Sequence, residues 1–424
     1  MIVLLLIGVL LYGLPLALWA SARLRGPELA GVGFLLGAGT IALHLFALSL
    51  LGVPWTRTSV LLSLAPLLLL AIAFARRTLA ASPVDELRTE ARVTWADLIV
   101  LVPVVAYAIF ALWAPPYEWD FYGIWGLKGR FFFDARGVDW SFLRINSSHP
   151  DYPLLVPLFF DFVAVVSGGW NDAAFGWIYV AFCVSLLAIV RAHSSPWVTL
   201  AVAFPALSLW IGLSEAAVMA FGCAALLMIR RGDDRLGALL LGFAAWSKNE
   251  GLALVVTAAV ALLITSWSVR RLLALWPAAA LIAPWLIARS LLHLPTDLAQ
   301  GGALRRILGR FADPVATVKA LATAPPDQPL LWLTVLAIIL IYIRSAVQRE
   351  RFLLVALLLQ SAALVIPLLA TPFDLAGHAQ FSLNRILHQI VPAAVFLAAV
   401  LAMRGLSAPS PSGGSLPWPR PSTD

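Results

Sequence analysis

The chain has 424 residues, of which 61% are hydrophobic and 12% are charged, and its formal net charge is +7. A soluble domain carries about 25% charged residues, so this composition does not supply a water-soluble surface. The apolar runs are continuous rather than alternating, which predicts helices that cross a membrane, since only helices and closed barrels satisfy the backbone in lipid. The sequence therefore predicts an all-α, polytopic membrane protein.

The basic charge also has a membrane explanation. The arginines lie mostly in short connectors between apolar runs, which is the positive-inside pattern of membrane proteins. This distribution indicates contact with membrane lipids rather than with nucleic acid. The two cysteines, Cys183 and Cys223, fall inside apolar runs and offer neither a disulfide framework nor metal-ligand spacing.

Apolar segments of about 20 residues are long enough to cross a bilayer. The thirteen spans predicted on this basis are 2–20, 30–51, 58–75, 97–114, 173–190, 197–213, 215–229, 235–248, 251–267, 272–291, 329–346, 351–370 and 386–403. We interpret the first as a retained span, because no Lys or Arg precedes its apolar run. The run 235–267 would be about 50 Å long as one helix, so a break is predicted at its polar stretch, 247–251.

A further segment, 153–167, is short and carries Asp161 in its middle. With thirteen spans, every arginine cluster falls on one side of the membrane, whereas a crossing at 153–167 would divide the clusters between the two sides. We therefore expect 153–167 to lie along the outer interface as an amphipathic helix. The N-terminus is then outside, and the C-terminus is cytoplasmic.

The spans and loops predict three regions. Residues 1–96 form a three-span N-terminal extension with a cytoplasmic linker, and residues 97–404 form the main transmembrane module. This module contains the long outer loop 114–172. Residues 405–424 are rich in Pro, Ser and Gly, which predicts a disordered cytoplasmic tail.

The loop 114–172 carries the first candidate chemistry. Loops of this length are usually functional or disordered, and its aromatic content argues against disorder. Glu118 and Asp120 can together bind a divalent cation, or one of them can take the proton of an acceptor hydroxyl. The alternative is a solvated loop start without chemistry. The aromatic residues beside them are either interfacial anchors or a surface on which a sugar stacks.

Cations and a histidine motif follow in the same loop. Lys128 and Arg130 stand on the predicted outer side, against the positive-inside bias, which favours an anionic ligand such as a phosphate. Long loops, however, carry charge freely. His149 and Asp151 can hold a phosphate or orient the catalytic carboxylate. The prolines around them are equally consistent with the first turn of a helix.

Further charged residues stand at the outer ends of the predicted spans. Ionisable groups near membrane depth indicate function, although a favourable first-turn acid or a snorkelling side chain also explains them. These residues are Glu215, Lys248, Glu250, Arg289 and Arg385. The segment 304–311 predicts a basic interfacial helix that is attracted to anionic lipid headgroups.

Four short motifs occur in order between residues 97 and 404. They are the acidic motif 118–120, the His-Pro-Asp-Tyr-Pro-Leu-Leu segment 149–155, the pattern from Pro205 through Ser214 and Glu215 to 246–251, and the Pro-Trp-Leu-Ile-Ala-Arg segment 284–289. Together they resemble the GT-C superfamily of membrane glycosyltransferases, which includes the protein O-mannosyltransferases and the bacterial aminoarabinose transferases. The chain departs from that family in three ways: Trp119 separates the two acids, Glu215 replaces an Asp, and extra spans precede the loop.

The resemblance implies a polyprenyl-phosphate-linked sugar as the donor and an envelope glycan, lipid or protein as the acceptor. Transfer is then expected on the extracytoplasmic face of the cell membrane, with inversion at the anomeric carbon. Asp120 is the expected base, and Glu118 assists it or joins it in binding a divalent cation, Mg²⁺ or Mn²⁺, whose involvement stays open. The residues expected at the donor phosphate are Lys128, Arg130, His149, Lys248, Arg289 and Arg385. Those expected at an acceptor or second acidic site are Asp151, Glu215 and Glu250.

Two other functions compete with glycosyl transfer. A lipid or glycan transporter predicts polar groups at mid-membrane depth and internal repeats, and the sequence shows neither, since its notable polar groups stand at the ends of spans. An O-antigen polymerase or ligase also has a large outer loop with arginines, but that loop lies late in the chain. Here the long loop is early.

Overall fold

The described structure is built of helices and the connections between them. It is a computed structural model, and in the ranges that it describes it contains helices but no strand. Those ranges are residues 1–81, 94–145, 149–208, 211–296, 301–324 and 327–407. The all-α prediction is therefore confirmed for this part of the chain. Most of the predicted linker and nearly all of the predicted tail lie outside the described residues.

The described part of the first half of the chain contains ten α-helices. They are α1 (Ile2–Ala20), α2 (Gly26–Leu50), α3 (Arg57–Ala80), α4 (Trp95–Trp113), α5 (Gly126–Ala135), α6 (Leu155–Ser167), α7 (Asp172–His193), α8 (Pro196–Ala206), α9 (Glu215–Arg231) and α10 (Asp234–Ser247). A π-helical turn, Phe121–Trp125, leads directly into α5, and a 3₁₀ turn, Phe142–Arg144, follows it.

The described part of the second half contains ten more. They are α11 (Asn249–Ser266), α12 (Val269–Leu273), α13 (Trp276–Leu291), α14 (Ala303–Ala312), α15 (Pro314–Ala322), α16 (Pro329–Ile341), α17 (Ile343–Arg349), α18 (Arg351–Ala370), α19 (Leu375–His388) and α20 (Val391–Ser407). The break expected at 247–251 is confirmed, because α10 ends at Ser247 and α11 begins at Asn249.

Eight helical segments of the described chain are long and apolar enough to cross a bilayer. They are α1, α2, α3, α4, α7, α11, the joined segment α12–α13, and α18. The pairs α16–α17 and α19–α20 are bent by 76° and 51°, and they raise the number to ten if each pair is one span. The described helices thus indicate a multi-pass membrane protein.

This number is below thirteen because three of the expected spans are short helices. Helix α8 ends at Ala206, and α9 and α10 have 17 and 14 residues. A helix of 14 residues is about 21 Å long, whereas the hydrocarbon core of a bilayer is about 30 Å thick. Hydropathy does not show where a helix ends inside an apolar run, so the sequence could not reveal these lengths.

Helix α6 corresponds to the segment expected at the outer interface, and its surroundings differ from that expectation. Eleven of its 13 residues are buried, Asp161 among them. It packs against α1, α2, α5 and α10, so protein rather than a lipid surface encloses it. A short apolar helix at the membrane interface has the same composition as one inside the protein. Only its contacts distinguish the two positions.

Exposed tryptophans mark both ends of α4. Trp95 is its first residue and Trp113 its last, and both side chains are exposed. The helix holds them about 27 Å apart, which is close to the thickness of the hydrocarbon core. Tryptophans are enriched at the two interfaces of a bilayer, so α4 has the form of a span with an anchor at each end.

Ion pairs gather several of the arginines that lie in or beside short connectors. They join the end of α9 to the start of α2 and to the residue before α18, and they join the end of α20 to that same residue. They also join the end of α7 to the starts of α2 and α4, and α12 to the start of α10. These pairs are Arg191–Asp97, Arg230–Glu350, Arg404–Glu350, Arg231–Glu28, His193–Glu28 and Arg271–Asp234. We term these residues the arginine-rich end. The start of α9 lies about 25 Å away along that helix.

The N-terminal helices pack into the main module. Helix α2 contacts α6, α7, α9 and α10, and 15 of its 25 residues are buried. Beyond its end, the Val138 N–H donates a hydrogen bond of 2.9 Å to Ser49 Oγ of α2. The N-terminal helices therefore share one core with the helices that follow.

Candidate functional site

A cluster of buried charge lies at the junction of α10 and α11. Lys248 Nζ is 2.8 Å from Glu215 Oε1 and 2.9 Å from Glu250 Oε1. Lys248 and Glu215 are buried. Gly251 permits this junction, because a Cβ there would lie only 1.9 Å from the backbone oxygen of Ala244. One cation is therefore shared between two carboxylates from different helices.

A second ion pair joins the loop after α4 to α19. Arg385 Nη1 is 2.6 Å from Asp120 Oδ2, and both side chains are largely buried. The two residues are 265 positions apart in the chain. Arg385 also interacts electrostatically with Glu215. This interaction connects the Asp120 pair to the group around Lys248.

A turn fixed by residues 211 and 212 positions Glu118. The Tyr117 N–H donates a hydrogen bond of 3.3 Å to the Ile211 carbonyl. Gly212 has a φ of +121°, which is accessible to glycine and strained for other residues. A Cβ at Gly212 would lie 3.1 Å from the Cβ atoms of Glu118 and Phe121. Glycine therefore allows the two stretches of backbone to approach.

The protonation of Glu118 responds to this environment. Burial raises the pKa of Glu118, and the attraction of Arg385 opposes that effect. The negative charges of Asp120 and Glu215 raise the same pKa further. Glu118 thus holds a proton more readily than an ordinary glutamate does.

Two lysines lie beside a stack of aromatic rings. The rings of Trp125 and Tyr152 are stacked with their centroids 5.4 Å apart, and His149 stacks on Tyr152 at 4.8 Å. The Nζ atom of Lys248 lies 5.7 Å from the Tyr152 ring centroid, and that of Lys128 lies 5.8 Å from it. These cation–π contacts connect the turn 149–152 to the buried charges.

Lys128 supports that turn from inside the protein. Its side chain is fully buried, and its ammonium donates a hydrogen bond of 2.7 Å to the His149 carbonyl. Burial lowers the pKa of Lys128 to about 7, although Asp151 opposes the shift. Asp151 Oδ2 accepts hydrogen bonds from Asn249 Nδ2 at 2.9 Å and from Thr296 Oγ1 at 3.0 Å. The turn is thereby attached to the α10–α11 junction.

These contacts bring several separate stretches of the chain together. We term the assembled residues the site cluster: Glu118, Asp120, Lys128, His149, Asp151, Tyr152, Glu215, Lys248, Asn249, Glu250 and Arg385. Glu215 begins α9, and the other end of α9 belongs to the arginine-rich end. The site cluster and the arginine-rich end therefore lie at opposite ends of α9.

Two of the expected phosphate ligands are not brought into the site cluster. Arg130 is half-exposed and pairs with Asp134 at 3.0 Å, and its guanidinium lies 6.0 Å from the Trp170 ring centroid. It lies two residues beyond Lys128 on α5, which turns it to nearly the opposite side of that helix. Within the described ranges, no hydrogen bond or ion pair joins the half-buried Arg289 to the site cluster.

Several residues that hold the site cluster together are not predicted from the sequence. Tyr152 and Asn249 stand inside the motifs, but their ring and amide contacts were not foreseen. Gly212 carried a usable signal, because an isolated glycine near Ser214 is typical of a close backbone approach. Nothing around Thr296 marks it in the sequence.

Two polar atoms of the site cluster have no hydrogen-bond partner among the described residues. They are Glu215 Oε2 and Arg385 Nε. The first is an acceptor and the second is a donor. Buried polar atoms are normally paired, so both are suited to a ligand that carries hydroxyl or phosphate groups.

The site cluster does not form a metal centre by itself. No three His, Cys, Asp or Glu side chains in the described ranges are arranged to hold a metal ion. Glu118 and Asp120 would supply two carboxylates, and Asp120 already bonds Arg385. A divalent cation there would need further oxygen ligands from substrate or water.

Two cavities lie apart from the site cluster. One, of about 440 Å³, is lined by the start of α1 and by the connection from α6 to α7. The other, of about 240 Å³, is an apolar groove between α1, α2 and α7. Neither is lined by a residue of the site cluster, so the charged groups are the stronger guide to function.

Comparisons of the chain with protein-family models, with curated proteins and with solved structures find no match. The residues of the site cluster are therefore the guide to function.

Proposed function

We propose that this protein is a GT-C-type membrane glycosyltransferase. It moves a sugar from a polyprenyl-phosphate carrier to a hydroxyl group of an envelope glycan, lipid or protein. The observation that carries the proposal is the Asp120–Arg385 ion pair beside the Glu215–Lys248–Glu250 group. A base and buried cations meet there, near the end of α4 and the start of α11, two helices long and apolar enough to cross a bilayer, where a lipid-linked donor would present its phosphate.

The cations of the site cluster suit a phosphate leaving group. Negative charge develops on that phosphate as the sugar departs, and fixed positive groups stabilise it. Arg385 is the better placed cation, because its guanidinium can bind a phosphate through two parallel hydrogen bonds and its Nε is unpartnered within the described structure. Lys248 is already shared by two carboxylates, so its main effect is to hold them.

The reaction is a single displacement at the anomeric carbon. The acceptor oxygen forms a bond to that carbon while the bond from the carbon to the phosphate oxygen breaks. The phosphate leaves with the bonding electron pair, and Asp120 takes the proton of the acceptor hydroxyl. Attack from the face opposite the leaving group inverts the configuration. Glu118 assists in holding the proton, because its raised pKa favours the protonated form.

The remaining polar groups support recognition of a sugar. Glu215 Oε2 is an unpartnered buried acceptor in the described structure, and a sugar hydroxyl would donate a hydrogen bond to it. The Trp125–Tyr152–His149 stack supplies a rigid wall beside it. A metal ion at Glu118 and Asp120 stays an open part of the proposal, and no step above requires one.

The charge distribution supports an extracytoplasmic site in the cell membrane. Arginines in short connectors are retained on the cytoplasmic side, which would place the arginine-rich end there. The site cluster lies at the opposite ends of the same helices. The proposed donor, acceptor and site then share one side of the bilayer.

Mass spectrometry of lipids and envelope glycans tests this proposal. Cells that lack the protein are complemented with the wild type, with Asp120→Asn or with Asp134→Asn. We expect a polyprenyl-phosphate sugar and an undecorated acceptor to accumulate in the deletion strain and to persist with Asp120→Asn. Loss of the base lowers turnover by about 10²–10⁴-fold.

Asp134→Asn is the matched control. Asp134 lies in the same outer segment but is exposed and pairs only with Arg130 in the described structure, so this variant should restore both lipids and glycans. Membrane abundance of all three forms is measured alongside. Normal glycans with Asp120→Asn would remove Asp120 as the base, and no change on deletion would remove the glycosyltransferase itself.

Transport of a lipid or glycan is the second candidate, and Asp161 favours it. This residue is fully buried in α6, and neither carboxylate oxygen has a partner in the described ranges. Burial raises the pKa of Asp161 well above that of an ordinary carboxyl, as in carboxyls that carry protons through membrane proteins. Uptake assays on Asp161→Asn decide between the two: a transporter would lose proton-coupled flux, and a glycosyltransferase would retain transfer.

A further inference from the structure

The connection between α13 and α16 contains two helices that turn apolar side chains outward. Leu304, Leu308 and Phe311 of α14 are exposed, as are Val315 and Val318 of α15. On α14 these side chains recur at spacings of four and three residues, so they share one face of the helix. We term these five residues the α14–α15 apolar face. Contiguous exposed apolar surface of this kind marks an interaction site.

The other side of α14 is fastened to the end of α18. Arg306 Nε donates a hydrogen bond of 2.6 Å to the Ala370 carbonyl. Arg310 donates to the carbonyls of Leu368 at 2.6 Å and Thr371 at 3.1 Å. The last carbonyls of a helix lack partners within it, and cations bind there favourably. These two arginines therefore cap α18 with their side chains.

This attachment fixes the level at which α14 lies. Helix α18 is one of the segments that is long and apolar enough to cross a bilayer. Its C-terminal end consequently marks a membrane surface, and α14 is held against that end. An apolar face exposed at this level meets the boundary between headgroups and acyl chains.

Exposed cations flank the apolar face. Arg305 on α14 and Lys319 on α15 are both exposed. Gly309 is exposed too, and it is turned about 100° from Leu308 around the helix axis. The exposed part of α14 is thus apolar on one side and polar on the other, which is the pattern of a helix that lies in a membrane interface.

We propose that α14 and α15 lie in the bilayer interface, with the α14–α15 apolar face against acyl chains and with Arg305 and Lys319 against anionic headgroups. Lipid is favoured over a second copy of the chain, because the face is level with the end of a span and is flanked by positive charge. This proposal does not depend on glycosyl transfer. It also gives the arginines of α14 two different roles. Arg306 and Arg310 cap α18, and Arg305 faces lipid headgroups.

Spin-label accessibility on the full-length protein tests this placement. The variants Leu308→Cys and Val315→Cys are labelled and reconstituted in nanodiscs that contain phosphatidylglycerol. Their collision rates with oxygen, which concentrates in lipid, and with a water-soluble nickel complex are compared. We expect oxygen to dominate at both positions. Cys183 and Cys223 are buried, so the wild type supplies the background.

Gly309→Cys is the matched control on the same helix. A Cβ at Gly309 meets no atom within 4 Å, so the substitution is tolerated sterically. We expect the nickel complex to dominate at this position. Nickel accessibility at 308 equal to that at 309 overturns the proposal. Protection of 308 from both probes overturns it as well, because a protein partner would then cover the face.

The headgroup contact is tested separately by native mass spectrometry. The double variant Arg305→Gln/Lys319→Gln should retain fewer phosphatidylglycerol molecules than the wild type. Arg130→Gln, which removes an exposed cation elsewhere, should retain the same number as the wild type. Equal retention by the double variant contradicts the assignment of anionic lipid to these two residues.

Discussion

The arginine-rich end and the site cluster place similar numbers of charges at opposite ends of the helices, but they pair them differently. At the arginine-rich end each carboxylate faces at least one guanidinium, and Glu350 faces both Arg230 and Arg404. The site cluster holds more acids than bases. Its acids are Glu118, Asp120, Asp151, Glu215 and Glu250, and its bases are Lys128, Lys248 and Arg385.

This difference teaches where a buried acidic group is available to a ligand. At the arginine-rich end every carboxylate is paired, although one buried donor there, Arg231 Nε, has no hydrogen-bond partner in the described structure. In the site cluster, Glu215 Oε2 and Arg385 Nε are buried without partners in the described structure. Local departures from full pairing of buried polar groups are expected at functional sites. The site cluster should therefore bind a ligand, and the arginine-rich end should mainly stabilise the fold.

The largest effect is expected at Lys248. The Lys248→Met variant leaves the buried Glu215 carboxylate without its cation, and breaking one partner of a buried pair costs about 3–5 kcal/mol of stability. We expect a large fall in the free energy of unfolding in detergent micelles. Lys248→Arg, which retains the charge, should lose less. Equal stability of Lys248→Met and wild type would show that the pair does not support the fold.

The next effect separates two arginines that look alike in the sequence. Arg385 bonds Asp120, whereas Arg289 makes no hydrogen bond or ion pair with the site cluster in the described ranges. Removal of one charge-stabilising donor costs about 10²–10³-fold in turnover. Arg385→Gln should therefore lose that factor in a donor-consumption assay, and Arg289→Gln should retain activity. The reverse result would place the phosphate at Arg289.

A smaller effect is expected from Gly212→Ala. An alanine there must adopt a φ near +121° and approach Glu118 and Phe121, which costs about 1–3 kcal/mol. We expect a lower melting temperature and a displaced acid limb of the pH–rate profile, because the burial that raises the pKa of Glu118 depends on this turn. Gly169→Ala is the control, since a Cβ at Gly169 meets nothing within 4 Å. Identical behaviour of the two variants would contradict a special role for Gly212.

The smallest effect is expected at the arginine-rich end. The Arg404 side chain is 40% exposed, and Glu350 retains Arg230 when Arg404 is replaced. Exposed ion pairs contribute about 0–1 kcal/mol, so Arg404→Gln should unfold almost as the wild type does. A loss as large as that of Lys248→Met would abolish the contrast between the two ends.

The sequence predicted features that depend on local pattern. The break between α10 and α11 follows from an uninterrupted apolar length, and the arginines that meet at one end were grouped by their position in short connectors. The pairing of Asp120 with Arg385 depends on residues 265 positions apart, which no local pattern encodes. Arg130 points away from the site cluster because it lies two residues after Lys128 on α5, on nearly the opposite side of that helix. The start of so short a helix, which sets this orientation, is hard to predict from the sequence. The enclosure of α6 depends on contacts with four other helices, which hydropathy does not contain.

Cysteine labelling with a membrane-impermeant maleimide tests most directly whether the two ends lie on opposite sides of the membrane. Trp119 and Phe381 flank the Asp120–Arg385 pair in the chain and are 73% and 79% exposed, and Trp267, where α11 ends, is 80% exposed. On intact cells, Trp119→Cys and Phe381→Cys should react, and Trp267→Cys should react only after permeabilisation. Reaction of positions 119 and 267 from the same side, or of 119 and 381 from different sides, would contradict an extracytoplasmic site opposite the arginine-rich end.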